Sequence, residues 1–126
     1  MKFLFISLVM LTSMSLKTIS VDGIIEAFKL GDASKVSKYF DNTVEITLTG
    51  TTNTYSKRQA ELVIRDFFSK NVIKQFRVIH KASRVNHQCC LGELETANGP
   101  YRVSIYFKQQ LSRQLLHEIR FERLYR

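Results

Sequence analysis

Tyr101-Arg102-Val103-Ser104-Ile105-Tyr106-Phe107-Lys108-Gln109 puts Val103, Ile105 and Phe107 at one parity and Arg102, Ser104, Tyr106 and Lys108 at the other. Successive side chains of a β-strand point to opposite faces, so the run reads as a strand with one face buried and the other wet. Upstream, between Val72 and Arg84, Phe76, Val78, His80 and Ala82 alternate with Gln75, Arg77, Lys81 and Ser83. Downstream, Leu115, His117, Ile119 and Phe121 alternate with Glu118, Arg120 and Glu122. Cys89–Ala97 supplies a further strand whose phase is open. Its inward set is either Cys90, Leu94 and Thr96 or Cys89, Leu91 and Ala97, with Gly92 as a bulge that would switch between them. Asn98-Gly99, followed by Pro100, offers the positive φ that a tight hairpin needs. Val72 to Tyr125 therefore reads as four consecutive strands of one antiparallel sheet.

Ahead of this sheet the period changes. Ser20 or Asp22 is placed to cap a helix with Val21, Ile24, Ile25 and Phe28 on one face, and Gly31 ends it. Asp32 caps a shorter helical segment from Ala33 to Phe40, with Val36, Tyr39 and Phe40 inward. Val44, Ile46 and Leu48 then alternate over Thr43–Thr49, and Gly50 to Thr54 reads as a polar hairpin or loop. Ser56 and Gln59 have capping-box spacing and start a helix carrying Ala60, Val63, Ile64, Phe67 and Phe68 on one side. Helices gathered before a mostly antiparallel sheet give an α+β class, with the helices over one sheet face.

The chain has 126 residues and is 44% hydrophobic, enough for one domain with a core. Lys2 and the apolar run Phe3 to Met14, with no acid before Asp22, have the order of a secretory signal peptide. We read 1–20 as a leader and 21–126 as a single domain, exported to the periplasm or beyond, with no membrane span once the leader is removed. Small residues at Ser13 and Ser15, or at Thr18 and Ser20, give two cleavage sites. The formal charge is +8, and taking away Lys2 and Lys17 leaves +6. The basic residues are interspersed with Glu93, Glu95, Glu118 and Glu122, so they read as a solvated face, and nucleic acid is disfavoured as a partner. Cys89 and Cys90 are adjacent in a strand, so they point to opposite faces and do not fit disulfide geometry. At least one should be a small core residue.

Three segments carry a family resemblance. They are Ile25-Glu26-Ala27-Phe28-Lys29-Leu30-Gly31-Asp32-Ala33 leading to Tyr39-Phe40-Asp41, then Gly92-Glu93-Leu94-Glu95-Thr96-Ala97-Asn98-Gly99-Pro100-Tyr101-Arg102-Val103, then Glu118-Ile119-Arg120-Phe121-Glu122. The order of elements resembles the nuclear transport factor 2-like (cystatin-like cone) fold, and the segments are similar to a domain-of-unknown-function family of short exported Bacteroidetes proteins. The resemblance implies a curved sheet wrapped around one long helix, with two short N-terminal helices and a pocket. It implies no activity, because function does not follow from fold. Pairing through the outer sheet face is common in the larger fold group, so a homodimer through that face is expected.

Parity places His80 and His117 on the concave face. A histidine in a partly apolar pocket titrates in the range where general acid and base chemistry is useful. The acid-base set of pocketed isomerases is not matched residue by residue, and Tyr39, Tyr101 and Asp41 take no such role from spacing alone. Two histidines without a third ligand make no metal site, and no cofactor is expected. His87 sits near a strand start, exposed. Tyr106 with Arg102, Lys108 and Arg120 forms a candidate contact surface outside the sheet. The resulting expectation is a non-catalytic exported domain binding a small ligand or an envelope protein partner through its pocket or outer sheet face. The alternative is a small-molecule isomerase or lyase with His80 or His117 as acid/base.

Overall fold

Helix α3 (Lys57–Lys70) starts where a reciprocal cap satisfies two backbone donors that a helix N-terminus leaves open. The Ser56 hydroxyl accepts from Gln59 N–H, and the Gln59 side chain accepts from Ser56 N–H. Ala60, Ile64, Phe67 and Phe68 recur at helical spacing and are buried. The computed structural model describes residues 21–125. Before α3 come α1 (Asp22–Leu30), α2 (Ala33–Ser37), β1 (Phe40–Leu48) and β2 (Thr51–Ser56). After it come β3 (Ile73–Arg84), β4 (His87–Thr96), β5 (Gly99–Gln110) and β6 (Arg113–Arg123).

The expected caps are partly corrected. Asp22 does not cap α1, and Ser20, the other candidate, lies outside the described residues. Val21 occupies that position without a side-chain bond, and Asp22 sits in the first turn. Gly31 ends α1 at φ 62°, a left-handed conformation that glycine adopts without a Cβ penalty. Asp32 caps α2 by accepting from Lys35 N–H. The leader reading of 1–20 also lies outside the described residues.

The strands form one sheet in the order β2-β1-β6-β5-β4-β3. The last four are antiparallel neighbours, while β1 and β6 pair in parallel. Helix α3 connects β2 at one edge to β3 at the other, so it crosses the inner face. The fold is α+β, a curved, mostly antiparallel sheet around one long helix. Of the two readings of Gly50 to Thr54, the hairpin holds and the loop does not. Thr49 and Gly50, both at positive φ, make a two-residue turn, and Thr51 starts the edge strand β2. In the β4–β5 hairpin Ala97 and Asn98 lie between paired Thr96 and Gly99, and the positive φ falls on Gly99 (108°).

Two irregularities reset the parity read from the sequence. The β3–β4 register shifts between Val78 and His80, so Ile79 is an extra residue. The β5–β6 register shifts where Tyr106 pairs with Glu118 and Phe107 with Leu116, leaving His117 as the extra residue. The β4–β5 register runs unbroken from His87 to Thr96. Gly92 is therefore no bulge, and the inward set of β4 is Cys90, Leu94 and Thr96. The Phe76 ring covers the place where a Gly92 side chain would stand.

Aromatic rings fill the space between helices and sheet. Phe67 lies 4.2 Å from Phe121 and 5.2 Å from Tyr101, and Phe28 lies 5.4 Å from Phe76 and 5.8 Å from Phe68, ring centre to ring centre. Such tilted and edge-on contacts are the favoured arrangements of aromatic pairs. A polar tie locks the C-terminus of α3 to the β4–β5 turn: Asn98 Nδ2 donates to Lys70 O and Asn71 Oδ1, and Tyr101 Oη donates to Asn71 Oδ1.

Candidate functional site

The outer face can be read row by row from the register. One row is Arg84, His87, Lys108 and Leu115. The next is Ala82, Cys89, Tyr106, Glu118, Glu45 and Thr54. The third is His80, Leu91, Ser104, Arg120, Thr47 and Thr52. His80 is thus on the outer face and exposed, and its expected place in a concave pocket is corrected. The cause is the Ile79 bulge, because one added residue sends every later side chain to the other face. Lys81 takes the inward parity and reaches α1, with Nζ 3.3 Å from Asp22 Oδ1.

His117 is corrected as well, with a different outcome. It sits at the β6 bulge, and opposite it β1 also departs from the ladder: Phe40 pairs with Leu116, and pairing resumes only at Glu45 with Glu118. Between those pairs Asp41 and Thr43 swing away from the regular ladder. They line, with His117, His87, Lys108, Glu118, Glu45 and Thr54, a groove of about 340 Å³. A neighbouring hollow of about 280 Å³ shares His87 and His117 and adds Cys89, Tyr106 and Phe107 to its walls. Lys108 Nζ stands 2.6 Å from Asp41 Oδ2, and only 14% of the Asp41 side chain is exposed. That bond outweighs the cost of burying the carboxylate. With Asn42 N–H, which Asp41 Oδ1 accepts at 2.8 Å, and the nearby His117, it holds the Asp41 carboxyl below the usual carboxylate range. Glu118 accepts from Arg120 Nε at 2.7 Å, and the Arg120 guanidinium lies 5.7 Å from the centre of the Tyr106 ring.

The thiols differ in setting. Cys90 is buried against the core and Cys89 is half-buried on the outer face; both are free, and burial pushes both thiols up, away from the reactive thiolate. Among the described residues no three His, Cys, Asp or Glu side chains come together as metal ligands. The groove is a polar cleft with paired charges and threonine hydroxyls, and the aromatic wall belongs to the hollow beside it. That composition can orient a polar ligand by hydrogen bonds. Sequence reasoning placed Lys108 and Tyr106 on this face, Glu118 on the wet side of its strand and His87 at an exposed strand start, but did not bring Asp41 or His117 to them. No periodicity could have done so, since the groove exists where β1 and β6 leave their ladder.

A family model described as Domain of unknown function (DUF4783) matches residues 21–122. The chain belongs to the DUF4783 family. Two solved DUF4783 structures agree closely with this fold. The protein from Bacteroides ovatus is 32% identical, with a TM-score of 0.81 over 82% of this chain and 94% of that one. The protein from Bacteroides uniformis is 30% identical, with a TM-score of 0.81 over 83% of this chain and 97% of that one. An NTF2-like protein of unknown function from Cytophaga hutchinsonii, 10% identical, has a TM-score of 0.60 over 82% of this chain and 86% of that one. It places this DUF4783 domain in the NTF2-like fold. No curated protein matches the chain.

Proposed function

We propose that the protein is a non-catalytic exported module that binds a small polar ligand, or a polar surface of an envelope protein, in the outer-face groove. The observation behind this reading is a contrast. The inner space is occupied by Phe28, Phe67, Phe76 and Phe121, whereas the groove beside His117 is open and carries half-buried charges. Export rests on Lys2 and the apolar run that follows it, and no helix among the described residues is long and apolar enough to cross a membrane.

Native purification from the cell envelope, followed by mass spectrometry of whatever travels with the protein, tests the reading. A copurifying molecule should be retained by the parent protein and lost when Lys108→Met and Asp41→Asn are combined. Equal recovery from parent and variant would move binding elsewhere. The acid-base alternative now concerns His117 alone, the histidine that lines the groove with Asp41 and Lys108. Unchanged phenotype in His117→Gln counts against it.

A further inference from the structure

The two edges of the sheet are built differently. On the β3 edge stand Lys74, Arg77, Lys81 and Arg84, and the Ile79 bulge interrupts its ladder. Charge and bulges are the usual means by which an edge strand is kept from pairing with another chain. Along β2, Thr51-Thr52-Asn53-Thr54-Tyr55-Ser56 has no charge, no proline and no bulge, and it pairs in regular register with β1 from Ser56 to Thr51. Every side chain except the half-buried Tyr55 is exposed.

The backbone of β2 shows which groups are open. The two-residue turn makes Leu48 and Thr51 a hydrogen-bonded pair, so Thr51, Asn53 and Tyr55 turn their backbone groups toward β1. Thr52, Thr54 and Ser56 turn theirs outward. The close approach of the Thr47 and Thr52 hydroxyls, 2.8 Å, fits such a non-hydrogen-bonded pair. Ser56 N–H is already taken by the Gln59 side chain. Thr52 and Thr54 are left with donors and acceptors facing away from the sheet.

We propose that two copies of the chain join through their β2 edges, antiparallel about a two-fold axis at Asn53, so that one sheet runs through both. In this register Thr52 exchanges both backbone bonds with Thr54 of the partner subunit, and Thr54 does so with Thr52 of the partner subunit. Thr51 faces Tyr55 of the partner subunit, and Asn53 meets its own copy. A second copy fits better than a foreign strand because the segment is complementary to itself in this register, down to threonine facing threonine on the outer side. It also meets no charge on the strand itself, although the chain carries +8 overall. The pair is closed, since the lysines and arginines of β3 prevent growth at the far edge. With so short a strand the dimer belongs to the weak, transient class.

Sedimentation velocity of the purified protein from about 1 μM to about 1 mM covers the range in which such a dimer forms. The expected result is a rise toward twice the chain mass, with the Thr52 and Thr54 amides gaining hydrogen-exchange protection as concentration rises. Thr54→Lys, which brings like charges together, and Thr54→Pro, which removes an outward N–H that β1 does not use, should each weaken association at least about tenfold. Circular dichroism should remain unchanged in both. Tyr106→Lys, on the outer face, should associate like the parent. A single-chain mass throughout leaves the β2 edge to a foreign strand and overturns the proposal. So does a dimer that survives Thr54→Pro and is lost in Tyr106→Lys, which would assign pairing to the outer face.

Discussion

Gly92 shows how much one residue's missing side chain can matter. A Cβ built there would lie 2.4 Å from the Phe76 ring and 3.0 Å from Arg77 O, so either the ring or the neighbouring strand must move. Gly92→Ala should therefore lower stability by about 2 kcal/mol, read from the midpoint of urea unfolding, even though alanine is the better strand residue. Asp41 makes a prediction in pH. Its folded pKa lies below the unfolded value, so its contribution is fully present above about pH 4 and is lost as pH falls through the depressed folded value. Asp41→Asn should cost about 1 kcal/mol at neutral pH and flatten the acid limb of the stability profile, as measured by thermal melts between pH 2 and pH 7. The two histidines show where residue-level reading fails. Parity carries a side chain to the right face only while the ladder is regular, and Ile79 and His117, the added residues of the two bulges, have no compositional mark.

Among the elements, the caps of α2 and α3 were legible because their signals are local, whereas α1 starts from Val21 without a side-chain bond and offers no such signal. Asp32 bonds Lys35 N–H three residues on, and Ser56 and Gln59 satisfy each other across one turn. Ser56→Ala should remove about 1 kcal/mol and free the first turn of α3, which amide exchange at Gln59 would register. Strand β2 was not legible for the opposite reason. Alternation arises from burial of one face, and an edge strand exposed on nearly all its side chains has no pattern to show. What makes it a strand is a turn that Thr49 and Gly50 form and a partner, β1, whose own alternation was plain.

At the scale of the molecule, the resemblance implied a cone with a pocket, but the space between helix and sheet is filled by aromatic rings. Phe67 is 6% exposed and touches the Phe68, Tyr101 and Phe121 rings. Phe67→Ala should cost about 3–5 kcal/mol and leave an apolar cavity. A small aromatic such as benzene should raise the melting temperature of that variant and leave the parent unmoved. Equal shifts in both would mean that the parent already has a hollow. The amino-acid sequence by itself determined the order and kind of nearly all elements, the inward set of β5 and α3, and the α+β class, because periodicity and capping act over a few residues. Only the tertiary structure decided that β1 lies parallel to β6, that both leave their ladder beside His117 to open a groove, and that aromatic rings close the interior. Those outcomes depend on contacts between residues distant in the chain, such as Phe67 with Phe121, 54 positions apart, and Phe40 with Leu116, 76 positions apart. No local pattern specifies which distant strand will be the neighbour or where its register will slip.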